Sequence, residues 1–387
     1  MEPIFTKLVS DLTGFQVPLW VTILVALGII LGFISLNAMF LIWAERKVCA
    51  RIQRRLGPQL TGPKSFALFS MWTGGWLQTA CDSIKLLLKE DIIPAGVDRF
   101  GFLLAPVLVF VAALAVYVPL PFSATAYGQL PSPVLAVADL DIGLLYIVAI
   151  PSLTVLSILT AGWSSNNKYS LLGGLRAGVQ MLSYEIPMLF ALLGPMVLAG
   201  SLSLGTLVKA QQEGLFGIPL LGWFIIPSFL GAVVYLICGV AETNRPPFDM
   251  PEAEQELVAG FVTEYSGMRF AMFFLAEFSN MFVVCTIFTA VFLGGWTLPW
   301  LTVPPAVNLG FFTLPYFDLL VGLLVFFAKV YLMVFVMMWI RWTFPRLRLD
   351  HLMQFGWKFL LPVSFLNLVI CTILAAIQQI YFGGHAG

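Results

Sequence analysis

Ala241-Glu242-Thr243-Asn244-Arg245-Pro246-Pro247-Phe248-Asp249-Met250-Pro251-Glu252-Ala253-Glu254-Gln255-Glu256, followed by Glu264-Tyr265-Ser266-Gly267-Met268-Arg269, is an acidic insert between two apolar runs. Of 387 residues 60% are hydrophobic and 10% charged, yet six of the 20 carboxylates fall between Glu242 and Glu264. Acids set so closely between apolar segments must either reach water or share protons. Pro246 and Pro247 bias Arg245 and Pro246 away from the α region, so the preceding helix ends there. Asp249 and Glu252 then read as an N-cap with a box-like partner, and Pro251 sits in the first turn, where its missing N–H costs nothing. In such a helix Asp249, Glu252 and Glu256 share a face at i, i+3 and i+7, and Glu254 points elsewhere. The spacing admits two readings: a solvated acidic face, or acids whose repulsion raises some of their pKa values.

Working outward, the flanks decide the class. A mean hydropathy of +0.95, with 34 Phe and 11 Trp, lies far outside soluble averages, and about 20 apolar residues cross a bilayer. The sequence predicts an all-α polytopic membrane protein, a single integral domain over 1–387. About eight spans are expected, near 19–42, 100–121, 140–161, 177–200, 220–241, 270–293, 315–340 and 358–381. The first 18 residues lack the basic region and cleavage site of a secretory signal. A net charge of zero gives a nucleic-acid partner no support. The five cysteines show no CxxC or Cys/His spacing, which argues against zinc, an iron–sulfur cluster or a disulfide framework, and they read as small buried hydrophobes.

Basic residues set the orientation. Segment 43–99 carries nine, including Arg46, Lys47 and Arg51; loop 162–176 adds Lys168 and Arg176, the acidic loop Arg245 and Arg269, and 341–358 Arg341, Arg346, Arg348 and Lys358. The alternate loops hold only Lys7 and Lys209. The basic loops are therefore expected in the cytoplasm and both termini outside. From Ser65 to Leu88, Trp72, Trp76 and Leu87 mix with Gln78, Asp82 and Lys85, as in an amphipathic helix at the interface; it either fills a gap between spans or lines a portal for a lipid-like ligand. Ionisable residues inside spans are expected to be functional or to form structural ion pairs: Glu185, expected near one end or about a third of the way into its helix, Glu277, and Lys329 and Asp318 on one helix. A chain of acids from Glu185 through Glu242 suits proton relay.

Five motifs in order carry a resemblance: Glu45-Arg46-Lys47 through Arg51-Ile52-Gln53-Arg54-Arg55-Leu56-Gly57-Pro58, Gly162-Trp163-Ser164-Ser165-Asn166-Asn167-Lys168-Tyr169-Ser170, Gln180-Met181-Leu182-Ser183-Tyr184-Glu185, the acidic loop with Thr263-Glu264-Tyr265-Ser266-Gly267, and Arg341-Trp342-Thr343-Phe344-Pro345-Arg346-Leu347-Arg348. Over roughly 19–360 the chain resembles the H-subunit family of bacterial proton-translocating NADH:quinone oxidoreductase, respiratory complex I, equivalent to mitochondrial subunit 1.

That resemblance implies a component of the cytoplasmic (inner) membrane. It would join a hydrophilic electron-transfer arm to the membrane arm and, with two arm subunits, form a quinone chamber. Quinone would be the substrate, and flavin and iron–sulfur clusters would belong to partner subunits. No residue of this chain alone would be a complete active site. By motif, Arg46, Arg51, Trp72, Asp82 and Phe248 are expected at the quinone. Glu185, Glu242, Asp249, Glu252, Glu254, Glu256, Glu264 and Glu277 are the proton-linked acids, and Arg245, Arg269, Arg346 and Arg348 organise loops. The chain departs from the family at Ile150-Pro151-Ser152-Leu153-Thr154, where a proline enters a span. The alternatives are the membrane anchor of a related hydrogenase-type complex, which resembles this chain less in Asn244–Asp249, and an ion transporter. A transporter would show an internal repeat with broken helices, and the sequence has none.

Overall fold

The computed structural model describes residues 19–59, 61, 74–124, 134–214, 222–250, 257–298, 306–308, 313–315 and 317–382. Within them lie helices α1 (Leu19–Ile52), α2 (Gln78–Leu88), α3 (Arg99–Ala115), α4 (Gly143–Ala149), α5 (Pro151–Ser164), α6 (Lys168–Ala199), α7 (Leu204–Glu213), α8 (Phe229–Glu242), α9 (Gly267–Phe292), α10 (Phe317–Thr343), α11 (Leu349–Phe355) and α12 (Leu361–Phe382). Two short antiparallel strand pairs, Ser123–Ala124 with Val134–Leu135 and Ala306–Asn308 with Thr313–Pro315, accompany them. Six helical segments are long and apolar enough to cross a membrane: in α1, α4–α5 together, α6, α9, α10 and α11–α12. The shorter apolar helices α3 and α8 fall on two further apolar runs.

Local chemistry explains where these helices begin and end. Asn167 caps α6 by accepting from the Tyr169 N–H, and Gly200, at φ 66°, ends it in the left-handed conformation that glycine adopts without a Cβ penalty. This start precedes the expected span, so Glu185 sits near the middle of the helix, deeper than the end or one-third position expected. Helix α1 runs past residue 42, because no breaker comes before Gly57-Pro58, and so carries Glu45, Arg46 and Arg51. The proline within 140–161 divides that run, and Pro151 occupies the first turn of α5. Of the expected amphipathic segment, residues 74–88 are described, with α2 at their C-terminal side; 62–73, with Trp72, lies outside the described residues. Four cysteines are buried, but Cys81 is exposed on α2, whose half-wet face has no core to receive it.

Helix α6 is the hub, packed against α5, α8 and α12. Apolar side chains gain little from leaving lipid for protein, so close backbone approach and interhelical hydrogen bonds hold such a bundle. A Cβ on Gly173 would lie 2.7 Å from the Gly260 Cα, so glycine here lets α6 touch the turn before α9. Asn367 and Ser228 exchange hydrogen bonds of 3.1 and 3.2 Å between α12 and the start of α8. The Tyr331 hydroxyl donates to Asn37 at 2.9 Å, tying α10 to α1. Lys329 donates to the carbonyls of Leu293 (2.7 Å), Gly295 (3.0 Å) and Thr297 (2.7 Å), and lies 4.7 Å from the Trp223 ring centre. All three of its N–H donors are thereby used to hold the turn after α9. Asp318 is buried and accepts from the Leu319 N–H at 2.8 Å, at the opening of α10.

Candidate functional site

The C-terminal ends of α1, α8 and α10 and the N-terminal part of α9 converge on Arg245. This side chain is 1% exposed; its Nη1 lies 2.9 Å from Glu45 Oε2 and its Nη2 3.4 Å from Glu277 Oε1. Its guanidinium stands 4.6 Å from the Phe278 ring centre. The second Glu45 oxygen, Oε1, is 2.5 Å from Arg341 Nη1. Two cations and two anions from four segments thus meet in a dry setting, where a charge is tolerated only when paired. Arg245 suits the position because its planar fork can address two acids at once.

Backbone contacts fix the loop that carries Arg245. Gln180 Nε2, on α6, donates to Ala241 O at 2.9 Å and Phe248 O at 2.7 Å, clamping the two ends of the segment. Leu347 N–H donates to Pro247 O at 3.1 Å, and Arg346 Nη2 holds Asp249 Oδ2 at 2.7 Å. Asp249 therefore pairs with the segment after α10, and Arg245 faces Glu45 and Glu277. Glu252, Glu254 and Glu256 lie outside the described residues.

Around this centre, Arg46 Nη1 is 2.7 Å from Asp82 Oδ2 on α2; both groups are partly exposed, so the pair positions α2 more than it stabilises it. Arg269 pairs with Asp91 at 3.1 Å and stands 5.5 Å from the Phe102 ring centre. Phe102 stacks on Tyr265 at 4.1 Å. Burial pushes the Tyr265 phenol up to about 12, so it stays protonated and donates to Phe102 O at 3.3 Å. Glu264 accepts from Asn167 Nδ2 at 2.7 Å, joining the acidic loop to the α6 cap.

Two cavities flank the ion cluster. One, of about 340 Å³, is lined by Glu242, Glu277, Asn280, Thr154, Phe273 and Arg341, among others. The other, of about 360 Å³, is lined by Glu45, Arg46, Phe278 and Trp342 among others. Arg341 and Phe274 line both and stand between them. Deeper still, a space of about 20 Å³ touches Glu242, Asn280 and Tyr235, room for one water. Glu242 Oε2 and Glu185 Oε1 are buried with no hydrogen-bond partner among the described residues.

The structure thus brings together Arg245, Glu277 and Glu242 from the sequence-predicted set, with Arg46 at the rim and Glu185 behind. Phe248 is buried against the Tyr184 ring at 5.3 Å and lines neither cavity. Arg51 lines an outer groove that adjoins the cavity Arg46 lines, the two sharing Leu56 and Gly57. Arg348 is exposed at the cap position of α11. Glu45 and Arg341, which complete the ion cluster, were not among the predicted site residues. Their signal was present in the Glu45-Arg46-Lys47 and Arg341-Trp342 motifs, but window hydropathy places both at span edges, where charge is unremarkable. Among the described residues no group of three or more His, Cys, Asp or Glu is arranged to hold a metal.

The family model described as NADH dehydrogenase matches residues 25–372. The chain is 43% identical over 365 residues to NADH-quinone oxidoreductase subunit 8 of Rhodothermus marinus, covering 94% of this chain and 99% of that one. It is 42% identical over 371 residues to the NADH-quinone oxidoreductase H subunit of Brevibacillus brevis, covering 94% and 97%. With the H subunit of Dehalococcoides mccartyi the identity is 44% over 351 residues, covering 91% and 86%. A matched family model over most of the chain and near-full-length relatives of this identity place the protein: it belongs to the H-subunit family of NADH-quinone oxidoreductase, respiratory complex I.

Proposed function

We propose that this chain forms the membrane-side wall of a quinone chamber and passes protons from it through buried acids. The observation that carries the reading is the Arg245–Glu45–Glu277–Arg341 cluster, set between a cavity opening toward Arg46 and a second containing Glu242 and Glu277. Quinone reduction consumes protons and changes local charge, and paired buried acids respond to a change in charge by taking up or releasing protons. Arg46 borders the quinone side, with Asp82 on α2 holding its guanidinium. Glu242 and Glu185 continue the path inward, and Asp249, Glu252, Glu254, Glu256 and Glu264 gather protons from the surface. Hydrophilic-arm subunits would supply the remaining chamber walls and carry flavin and iron–sulfur clusters, and small membrane-arm subunits would continue the proton path.

Arg46→Ala tests the quinone side. The complex is expected to assemble while the KM for short-chain quinones rises about tenfold, the cost of losing a hydrogen bond to a charged group. Unchanged kinetics in an assembled complex would place the quinone elsewhere.

We place the chain in the bacterial cytoplasmic membrane, with the basic loops inside and both termini periplasmic. Cysteines substituted at Lys168 and Lys209 are expected to react with impermeant reagents from opposite faces. Labelling of both from one face would overturn the topology.

A further inference from the structure

The space of about 20 Å³ beyond Glu242 has an aromatic floor. Tyr235 lines it, two turns before Glu242 on α8 and roughly 10 Å from it along the axis. The Tyr235 ring centre stands 6.1 Å from that of Phe288 and 5.8 Å from that of Phe292, and those two are 5.2 Å apart near the end of α9. All three side chains are at most 5% exposed. We propose that Tyr235, Phe288 and Phe292 form an insulating layer, which stops protons held at Glu242 from crossing directly to the opposite face of the membrane.

Protons travel along chains of hydrogen-bonding groups and water, and an apolar constriction breaks such a chain by excluding water. Phe288 and Phe292 carry no donor or acceptor, and the Tyr235 hydroxyl donates its proton to Val284 O at 3.2 Å. The neighbouring hydroxyls of Thr286 and Thr289 are spent on their own helix, donating to Phe282 O and Cys285 O at 2.8 Å each. Backbone at the end of α9 is closed as well: Ala290 O accepts from Gln211 Nε2 at 2.9 Å, and Phe292 O from the Ile225 N–H at 3.0 Å. Donors around the layer are thus committed to backbone. The inference rests on the reading of Glu242 as a proton carrier and gives that path a direction. With the way across closed, a proton at Glu242 leaves through Glu185 or returns toward Glu277.

The test uses the assembled complex in liposomes without NADH, a potassium diffusion potential driving protons and an enclosed pH dye reading their entry. Phe288→Ser and Phe292→Ser each put a hydroxyl behind Tyr235 and are expected to raise proton entry about tenfold over wild type. Phe288→Ala leaves an apolar void, which stays dry, so it should lose thermal stability without leaking; a merely structural role would make it leak like the serine variant. Adding Glu242→Gln to Phe288→Ser separates the two readings. A leak that disappears supports both, and one that persists supports the layer while counting against Glu242 as the carrier. The wild-type complex gives a reading that needs no variant to assemble. Hydroxyl radicals made from internal water by X-ray radiolysis should label Phe273, beside the cavity of about 340 Å³, at least about tenfold more than Phe288 or Phe292. Wild-type proton entry in both assembled serine variants, equal leaks in Phe288→Ala and Phe288→Ser, or labelling of Phe288 or Phe292 to the level of Phe273 would each overturn the proposal.

Discussion

Membranes from cells carrying Arg245→Ala are expected to contain little assembled complex, and what remains should inactivate at lower temperature. The substitution leaves Glu45 with Arg341 alone and strips Glu277 of the cation it touches, both at a site where Arg245 is 1% exposed. Removing one member of a buried ion cluster costs about 3–5 kcal/mol, a large share of the margin that keeps a protein folded. The conservative variants sharpen the expectation. Arg245→Lys keeps the charge but offers a point donor in place of a fork, so it should fall between wild type and alanine. Arg245→Ala combined with Glu277→Gln removes the stranded carboxylate while keeping the Glu45–Arg341 pair, and should recover part of the assembled complex. The comparison is read from complex abundance on native gels and the midpoint of thermal inactivation. Wild-type abundance and midpoint in Arg245→Ala would mean that the cluster carries no such energy.

The second large effect concerns Glu242. Its Oε2 is buried without a partner among the described residues, and the group touches both the 340 Å³ cavity and the 20 Å³ space beyond it. Glu242→Gln keeps shape and removes titration, and because Glu242 belongs to no salt bridge among the described residues, the complex is expected to assemble normally. Quinone reduction and proton translocation should then fall together by at least about tenfold, equivalent to ~1.4 kcal/mol in the barrier. Glu277→Gln should show the same kinetic loss with an added stability loss, because it also deprives Arg245 of a partner. Lys329→Met provides the contrast. Its ammonium holds three backbone carbonyls far along α10 from the cluster, so the variant should lose thermal stability while protons moved per quinone stay unchanged. Wild-type rates and stoichiometry in an intact Glu242→Gln complex would end the relay reading.

The structure also divides residues that the sequence groups together. Arg46 and Arg51 lie on one helix within a single basic run, yet five positions at 3.6 residues per turn set them on different faces. One meets Asp82 and lines the cavity beside Glu45; the other lines the outer groove. Lys329 and Asp318 looked alike as charges within one span, and each proves to bond backbone at an end of a helix or turn. Asp249 and Arg245 are four residues apart and answer to different partners, Arg346 and the Glu45–Glu277 pair.

By itself the sequence determined the helical membrane class, the apolar runs, the family and the concentration of acids and arginines in a few loops. Those properties are local: hydrophobic length, charge in a window, and breakers such as Pro151 and Pro246-Pro247 act over tens of residues at most. Tertiary structure alone decided that Glu45 and Arg245, 200 residues apart, share an ion pair, that Arg341 completes it, and that Glu242 and Glu277 face one cavity. Helix register sets these pairings, through contacts such as Gly173 against Gly260 and Gln180 against Ala241 and Phe248. A one-residue rotation of any of these helices turns a side chain by about 100° and would separate the charges, and hydropathy carries no record of that angle.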